Sequence, residues 1–303
     1  MTKLKVLITG VSGFIGLPLV ERLANQGCEV LALSRTKPSF NAGNSVSWLE
    51  ADLTDFQSYR FEIELFSPEI VIHLAWQDIP DFSLNKSINN LNASLEFLAF
   101  VVSLDSCKKI LVSGSCWEYN RSQGECGETD IVAPKDHFTW AKNSIRTWLE
   151  VVAQEKNIII GWLRIFYVYG PGQRSDALIP TILNEFKIGN LPNIKTPTNA
   201  NDYIFLDDVV EAFALATTRP IPSGVYNLGS GVSTSVLEIC RTAEWIVLGS
   251  ENLTQKLEID AGQNTNNINF WASIEGTKKI LNWQPITTIN SGIKNTWKQI
   301  NKS

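Results

Sequence analysis

The sequence predicts an α/β fold: a Rossmann-type, doubly wound parallel sheet with a smaller, mostly helical C-terminal domain. Two observations lead to this prediction. Through the first half of the 303 residues, short runs that are apolar at nearly every position alternate with amphipathic helical segments. Such runs are typical of parallel strands that helices cover on both faces. Beyond Gly170-Pro171-Gly172 the pattern becomes irregular, and Pro180, Pro192 and Pro197 interrupt it, which indicates a second, smaller region.

The individual elements follow from these patterns. Strands are predicted at Leu4–Thr9, Glu29–Leu33, Ile70–Leu74, Lys109–Ser113 and Ile158–Ile165, with helices at Ile15–Asn25, Ile88–Leu104 and Trp140–Lys156. Tyr203–Leu206 and Val225–Leu228 are predicted as short strands that return to the same sheet. Ser235–Val247 and Ile274–Leu281 are predicted as helices of the smaller domain.

A glycine-rich turn joins the first strand to the first helix. Gly10 permits a tight turn, Gly13 lets the backbone approach a pyrophosphate, and Gly16 lets the helix lie close to the strand. The helix N-terminus supplies N–H groups and partial positive charge. Because the turn lies at the first strand-to-helix junction, we predict that it binds a dinucleotide, through Gly10, Ser12, Gly13, Phe14 and Ile15.

The chain is predicted to form two domains, one for the cofactor and one for the substrate. The cofactor-binding domain is expected to comprise 1–165 and about 200–230, and the substrate-binding domain about 166–199 and 231–303. The ligands are expected at the carboxyl ends of the parallel strands.

The residues after the second strand predict NADP(H) as the cofactor. NAD-binding folds usually place an acidic residue here to bind the ribose 2′-hydroxyl, whereas this chain has Ser34-Arg35-Thr36-Lys37. A guanidinium and a hydroxyl can bind a 2′-phosphate through charge-assisted hydrogen bonds. An ordinary solvated basic turn is the alternative interpretation.

The composition and charge of the chain argue against several classes of protein. The formal net charge is −5 with no run of Lys or Arg, which argues against nucleic acid as a partner. No apolar stretch is long enough to span a membrane, and the first residues enter a strand rather than a signal peptide. The five cysteines are scattered and there are only two histidines, His73 and His137, so we expect no metal site and a reduced, cytoplasmic location.

A set of motifs occurs in one order along the chain: Thr9–Gly16, Ala51–Asp55, His73–Ala75, Ser113–Ser115 with Tyr119, Lys142, Arg164 with Tyr169–Gly172, Asp202–Val209, Asn227–Gly231 and Leu281–Pro285. This ordered set resembles the extended short-chain dehydrogenase/reductases, or NAD-dependent epimerase/dehydratase family, that act on nucleotide sugars. The motifs are most similar to those of nucleotide-sugar 4-ketoreductases such as CDP-abequose synthase.

The resemblance implies further cofactor-binding residues. Asp52 would reach the adenine ring from the end of the third strand, although an N-cap of the following helix is the alternative. Lys142 would hold the nicotinamide ribose. With the glycine loop, the implied cofactor set is Gly10, Ser12, Gly13, Phe14, Ile15, Ser34, Arg35, Asp52, Leu53, Leu74, Ala75 and Lys142.

The resemblance also implies a catalytic set with one departure. Ser115 occupies the position of the family serine, which hydrogen-bonds the reacting oxygen, and Lys142 that of the lysine, which lowers the pKa of a tyrosine. Four residues before Lys142, where the tyrosine belongs, the chain has Phe138, which cannot donate a proton. The chain is then an engineered Tyr→Phe variant, an enzyme with another proton donor, or a catalytically silent nucleotide-binding protein. Tyr119, His137, Tyr167 and water are the alternative donors.

The implied substrate is a nucleotide sugar, held by Trp76, Ser115, Cys116, Trp117, Tyr167 and Arg174. Tyr167 and Asn201 stand where the family often has pyrophosphate-binding residues, so pyrophosphate binding is expected to be weaker or differently built. A solvated loop arginine is the alternative for Arg174.

These observations predict an NADPH-dependent oxidoreductase that reduces a 4-keto-6-deoxy sugar nucleotide in deoxysugar biosynthesis. The alternatives are a sugar-nucleotide epimerase or dehydratase, and a silent NADP(H)-binding protein. Phe97, Phe100 and Val101 suggest a second apolar face on the helix Ile88–Leu104, which predicts a homodimer through this helix and Trp140–Glu155.

Overall fold

The computed structural model describes residues 3–37, 43–257 and 268–302. The chain divides into two compact units. Unit 1 comprises Met1–Asn120, Ile131–Arg164 and Val210–Tyr226, and unit 2 comprises Arg121–Asp130, Ile165–Val209 and Asn227–Ser303. The assignment of cofactor binding to one part and substrate binding to the other remains a prediction.

The strands are numbered in chain order. They are β1 Lys5–Thr9, β2 Glu29–Ser34, β3 Val46–Glu50, β4 Ile70–His73, β5 Lys109–Ser115, β6 Gln123–Cys126, β7 Ile159–Ile165, β8 Tyr167–Tyr169, β9 Ala200–Phe205, β10 Gly224–Leu228, β11 Ser233–Ser235 and β12 Asn269–Ala272.

The helices include α1 Gly16–Asn25, α2 Arg60–Phe66, α3 Leu84–Val101, α4 His137–Lys156, α5 Leu178–Lys187, α6 Leu206–Thr218 and α7 Val236–Leu248, followed by Glu275–Leu281 and Ile289–Ile300. Helix α4 begins three residues earlier than predicted. The Asp136 side chain accepts a hydrogen bond from the Thr139 N–H at 2.8 Å and caps the helix there.

Unit 1 is built on a seven-stranded sheet in the order β10-β7-β5-β4-β1-β2-β3. The β1–β2, β2–β3, β1–β4 and β4–β5 pairs are all parallel. The chain winds outward from β1 to β3 and then crosses back to β4, so the strand order reverses between β1 and β4. Ligands of doubly wound folds bind at this switch point. The predicted fold class is confirmed.

One hydrophobic core of unit 1 lies between this sheet and helices α3 and α4. Ile145 and Leu149, one turn apart on α4, are buried in it. Other buried members are Leu7, Leu31, Val71, Phe97, Leu98, Val101, Ile110, Val112, Ile160 and Trp162.

The residues that suggested a dimer face belong to this core instead. The Phe100 ring lies 5.1 Å from the Phe56 ring, and Phe97 lies 6.2 Å from Tyr59, measured between ring centroids. Val101 is also fully buried. The exposed positions of α3 are mostly polar, including Asn85, Asn89, Asn92 and Glu96. The interpretation of Phe97, Phe100 and Val101 as a second, outward face is therefore wrong.

Unit 2 contains a sheet that the sequence did not predict. Its path is β11-β9-β12-β6, and β8 pairs with β9. The prediction that Tyr203–Leu206 returns to the main sheet is wrong, because β9 pairs with β8, β11 and β12 instead. Helices α5 and α7 share a core with Tyr203, Phe205 and Ile293.

Candidate active site

The glycine loop after β1 lies against the segment that follows β4. Gly10 has φ +75°, and a Cβ at this position would lie 2.7 Å from the Ala75 nitrogen and 2.9 Å from the Leu74 carbonyl carbon. A Cβ on Gly16 would lie 2.6 Å from the Val11 Cα. Larger residues would push the two strand ends and the helix apart, so both glycines are required by close backbone approach.

The loop and the start of α1 fit the pyrophosphate of a dinucleotide. The Gly13 N–H donates to the Gly10 carbonyl at 3.0 Å and closes the turn. Ser12 and Gly13 are exposed, and no side chain of the described residues caps the N-terminus of α1. The first turn of a helix carries N–H groups without intrahelical partners and partial positive charge, which an anionic ligand satisfies.

His73 connects the loop to α3, a role that the sequence did not reveal. Its Nδ1 lies 2.9 Å from the Thr9 Oγ1 and its Nε2 lies 3.0 Å from the Ser94 Oγ. The Ala75 N–H donates to the same Thr9 Oγ1 at 3.3 Å. Burial, and then the charge of Lys142, lowers the pKa of His73 to about 3, so the ring is neutral and holds Thr9 and Ala75 in place.

The predicted adenosine-binding residues lie at the ends of β2 and β3. The Asp52 Oδ1 accepts from the Thr54 N–H at 2.9 Å, the Thr54 hydroxyl at 2.8 Å and the Gln77 amide at 3.1 Å. Burial raises the pKa of Asp52, but these bonds and the nearby Arg35 charge outweigh it and lower the pKa below its ordinary value. Asp52 is therefore an ionised acceptor.

The local geometry bears on the N-cap alternative for Asp52 and on the accessibility of Ser34 and Arg35. Asp55, rather than Asp52, precedes the short helix Phe56–Ser58, so the N-cap interpretation of Asp52 is wrong. Ser34 is buried and its hydroxyl donates to the Thr36 carbonyl at 2.7 Å. Arg35 is exposed. Arg35 is consequently the more accessible of the two predicted 2′-phosphate ligands.

Lys142 is hydrogen-bonded to β5 near its carboxyl end, and this strand ends at Ser115. The buried Lys142 Nζ donates to the Ser113 carbonyl at 2.9 Å and lies 4.4 Å from the centre of the Trp76 ring. Burial lowers the pKa of Lys142 to about 8, and the Glu118 carboxylate opposes this shift. The Ser115 Oγ accepts from the Trp117 N–H at 3.2 Å, which leaves its own hydrogen available to donate.

Phe138 lies one turn before Lys142 on α4 and belongs to an aromatic cluster. Its ring centre lies 5.2 Å from that of Trp76 and 4.7 Å from that of Phe82. Phe82 in turn lies 5.3 Å from Trp117. Three predicted site residues, Trp76, Trp117 and Phe138, are thus brought together. Phe82 was missed because a single phenylalanine in a loop carries no motif.

The alternative proton donors lie in different surroundings. Tyr119 is buried, and the Arg164 guanidinium lies 4.5 Å from its ring centre. His137 is exposed at the start of α4. Tyr167 belongs to unit 2, where its ring lies 5.7 Å from that of Tyr203. None of these contacts identifies a donor.

The two other predicted substrate residues are Cys116 and Arg174. Cys116 is buried in the short helix Cys116–Tyr119. In unit 2, Arg174 is exposed and pairs with Asp176 at 3.1 Å, a contact that also fits the solvated-loop alternative.

The described residues include neither a candidate metal site nor a candidate membrane span. Across 3–37, 43–257 and 268–302, no group of three His, Cys, Asp or Glu side chains could hold a metal ion. Within the same ranges, none of the helices has both the length and the apolar character needed to cross a membrane.

Solved structures with the same fold include nucleotide-sugar epimerases. The UDP-glucose 4-epimerase of Thermotoga maritima, solved with UDP-glucose, superposes with a TM-score of 0.82 at 22% identity, covering 99% of both chains. The UDP-glucose 4-epimerase of Thermus thermophilus, solved with NAD, gives a TM-score of 0.78 at 22% identity, covering 98% of this chain and 99% of the other. At this identity the likeness concerns the fold.

Curated relatives cover nearly the whole chain. A UDP-glucuronate 4-epimerase of Thermodesulfobacterium geofontis is 24% identical over 96% of this chain and 94% of its own. A dTDP-4-dehydro-6-deoxyglucose reductase of Escherichia coli is 27% identical over 97% of both. The CDP-abequose synthase of Salmonella typhimurium is 26% identical over 99% of this chain and 100% of its own.

The sequence model of the NAD dependent epimerase/dehydratase family matches residues 6–229. This range contains the glycine loop, the Asp52 turn, Ser115, Phe138 and Lys142, the residues around which the site of unit 1 is built. The predicted resemblance is confirmed: the chain belongs to the NAD-dependent epimerase/dehydratase family.

Proposed function

We propose that this protein is an NADPH-dependent oxidoreductase that reduces the ketone of a 4-keto-6-deoxy sugar nucleotide to an alcohol, a step of deoxysugar biosynthesis. The observation that carries the proposal is the hydrogen bond from the buried Lys142 to β5, the strand that ends at Ser115, beside the switch point where we propose that the dinucleotide binds. The reductase and CDP-abequose synthase relatives support the choice of substrate.

The cofactor is proposed to be NADP(H). The α1 N-terminus and Gly10 to Ile15 would hold its pyrophosphate, Asp52 with Leu53 its adenine, and the exposed Arg35 its 2′-phosphate. Leu74 and Ala75 would line it where they contact Gly10. The solved NAD complex of a related fold supports the alternative, NAD.

The residues of this chain would then perform three tasks. When bound, the nicotinamide would supply hydride to the carbonyl carbon. Lys142 would hold the ribose hydroxyls through its ammonium, and the Ser115 hydroxyl would donate a hydrogen bond to the carbonyl oxygen, where negative charge develops. Trp76, Cys116 and Trp117, with Tyr167 and Arg174 of unit 2, are proposed to hold the nucleotide sugar.

Because Phe138 cannot donate a proton, the proton that completes the alcohol would have to come from Tyr119, His137, Tyr167 or water. A positioned general acid contributes about 10²–10⁴-fold to rate, so the chain is expected to be slow unless another donor acts. The silent alternative gains one supporting observation. Ser115 caps a short helix and Lys142 binds a carbonyl, so both residues also have structural contacts that a non-catalytic protein would keep.

A second candidate function is sugar-nucleotide epimerisation, which the UDP-glucuronate 4-epimerase relative favours. Dehydration is less supported, because the Asp-Glu pair that usually follows the serine or threonine is replaced by Cys116-Trp117.

We also propose a homodimer and a cytoplasmic location. The five cysteines are all buried, which suits a reduced compartment. The dimer no longer rests on Phe97, Phe100 and Val101. Exposed apolar residues on α4, Trp140 and Val151, remain as candidates for the contact.

The test measures NADPH loss and product together, with CDP- and dTDP-linked 4-keto-6-deoxy sugars and with UDP-glucose and UDP-glucuronate. The proposal predicts one NADPH oxidised for each 4-keto sugar reduced. Interconversion of the UDP sugars without net NADPH loss would establish the epimerase instead. Tight NADPH binding without turnover of any sugar would establish the silent protein.

A further inference from the structure

Glu118 is a completely buried carboxylate three residues after Ser115. It directly follows Cys116 and Trp117, which are proposed to contact the substrate. Within unit 1 it lies on the short helix Cys116–Tyr119. A carboxylate in this position is costly unless its oxygens are fully hydrogen-bonded and its charge is paired.

Both oxygens of Glu118 are used by neighbouring donors. Oε1 accepts from the Ser115 N–H at 2.7 Å and from the Trp162 Nε1 at 3.1 Å. Oε2 accepts from the same Trp162 Nε1 at 3.0 Å and from the Arg164 Nε at 2.9 Å. Glu118 is therefore committed to the protein core and is unsuited to exchange a proton with a substrate.

The backbone before Ser115 is built around this carboxylate. A Cβ on Gly114 would lie 2.9 Å from the Glu118 Oε1 and 2.9 Å from the Trp162 Cδ1. Only glycine lets the strand pass at this distance. Ser115 then caps the short helix. Its N–H donates to the Glu118 Oε1, and its Oγ accepts from the Trp117 N–H.

The partners that hold Glu118 belong to β7. Trp162 and Arg164 are both buried on this strand, next to β5 in the sheet. Arg164 supplies the opposite charge and Trp162 a rigid donor. The chain of contacts therefore runs from the sheet, through one carboxylate, to the main chain of the serine.

We propose that Glu118 is a positioning residue, which fixes the main chain of Ser115 against β7 and so sets the orientation of the serine hydroxyl toward the carbonyl to be reduced. This inference rests on the proposed function. Misplacement of a reacting group by about 1 Å can cost about 10²-fold in rate. Loss of Glu118 should therefore lower kcat. NADPH binding should change little, because the glycine loop, Arg35 and Asp52 do not contact Glu118, which acts on Lys142 only through its charge.

The main variant combines Glu118→Met with Arg164→Gln, so that the Ser115 N–H loses its side-chain acceptor and no unpaired charge is buried. Glu244→Met is the matched control. Glu244 is also completely buried, and in unit 2 it accepts from the Leu253 and Thr254 N–H groups at 2.8 and 2.9 Å. Three properties are compared: kcat and KM, the NADPH Kd, and hydrogen exchange at the Ser115 and Trp117 amides relative to global unfolding.

The double variant should lose about 10–100-fold in kcat with an NADPH Kd within about threefold of the parent. The Ser115 amide should exchange at least about tenfold faster. The Glu244 control should lose stability with kcat and Ser115 exchange unchanged. A folded double variant with parental kcat and exchange, or a control with the same fall in kcat, would overturn the proposal.

Two further arms keep the test decisive. Glu118→Asp keeps the charge but is one methylene too short to reach both Ser115 and Arg164, so it replaces the double variant, with the same readouts, if that protein does not fold. If the parent reduces no sugar nucleotide, the proposed function has failed. Faster Ser115 exchange in the variant would then still support the positioning role, and unchanged exchange would overturn it.

Discussion

Arg35 and Asp52 lie at neighbouring strand ends, and the charge of Arg35 helps to keep Asp52 ionised. An acidic residue in place of Arg35 would repel a 2′-phosphate, whereas the exposed guanidinium can bind it. The neighbouring Ser34 hydroxyl already donates to Thr36. Most of the proposed preference for NADP(H) is therefore assigned to the single side chain of Arg35.

Replacement of Arg35 by Ala should raise the NADPH Kd by at least about tenfold, since a charge-assisted contact of roughly 1.5–3 kcal/mol is lost. The NADH Kd should change little. Isothermal titration with both cofactors measures the two constants. An equal effect on NADPH and NADH would contradict the assignment.

Phe138→Tyr should raise the rate of NADPH-dependent carbonyl reduction by at least about tenfold, because it restores a general acid one turn from Lys142. Cofactor affinity should stay the same, since the added hydroxyl serves proton transfer. Steady-state rates of parent and variant check this. A fast parent that the change leaves unaffected would mean that another donor operates.

His73 gives a pH dependence whose sign follows from its pKa. In the folded chain the pKa of His73 is about 3, against about 6.5 when unfolded. The unfolded chain thus binds more protons between these values. The stability that neutral His73 provides is complete above about pH 6.5 and is lost as pH falls toward 3, by up to about 1.4 kcal/mol per pH unit.

Urea unfolding of the parent and of His73→Gln measures this contribution, because the carboxylates common to both proteins cancel. The difference in unfolding free energy between the two should shrink by about 2 kcal/mol from about pH 7 to about pH 5. A difference that is constant over this range would mean that His73 is not held neutral by burial.

Among the elements, the turn between β1 and α1 shows what a local pattern can predict. Its glycines were identified from spacing alone, since the demands of a strand-to-helix turn are met within a few residues. The close approach of Gly10 to Leu74 and Ala75, by contrast, depends on the parallel pairing of β1 and β4. The polar bridge through His73 depends on the same pairing.

Gly10→Ala isolates this close approach when compared with Gly189→Ala. Gly189 has φ +76°, nearly the value of Gly10, with nothing within 4 Å of its added Cβ. The backbone strain of about 1 kcal/mol is shared, so a further loss of unfolding free energy, and a loss of NADPH affinity, is expected only for Gly10→Ala. Equal losses in the two variants would contradict the close approach.

The elements that the sequence missed or assigned to the wrong sheet have partners distant along the chain. Strand β3 is half-exposed and lacks a continuous apolar run. Strand β9 carries Asn201 and Asp202 in buried positions, and Asp202 is satisfied by Ser230, Gly231 and Ala272. The Glu118 network joins residues 44 and 46 positions apart. No local periodicity contains such pairings.

At the scale of the whole molecule, the order of motifs predicted the fold and the family. Several of these motifs directly follow strands of the main sheet, and the strands come in the order that this fold requires. The departure at Phe138, where the resemblance implies a catalytic tyrosine, was visible for the same reason. The aromatic cluster around it was not, since Phe82 comes from a loop. Nor could the sequence show that the apolar surplus of α3 serves the core of unit 1 rather than a partner.

The most direct test of the proposed reduction follows deuterium from the C4 position of labelled NADPH into a 4-keto-6-deoxy sugar nucleotide, by mass spectrometry of the product of the parent protein. The account predicts one deuterium in each sugar product, with an equal amount of NADPH oxidised, and faster transfer in Phe138→Tyr. Unlabelled sugar with NADPH conserved, in parent and variant alike, would contradict it.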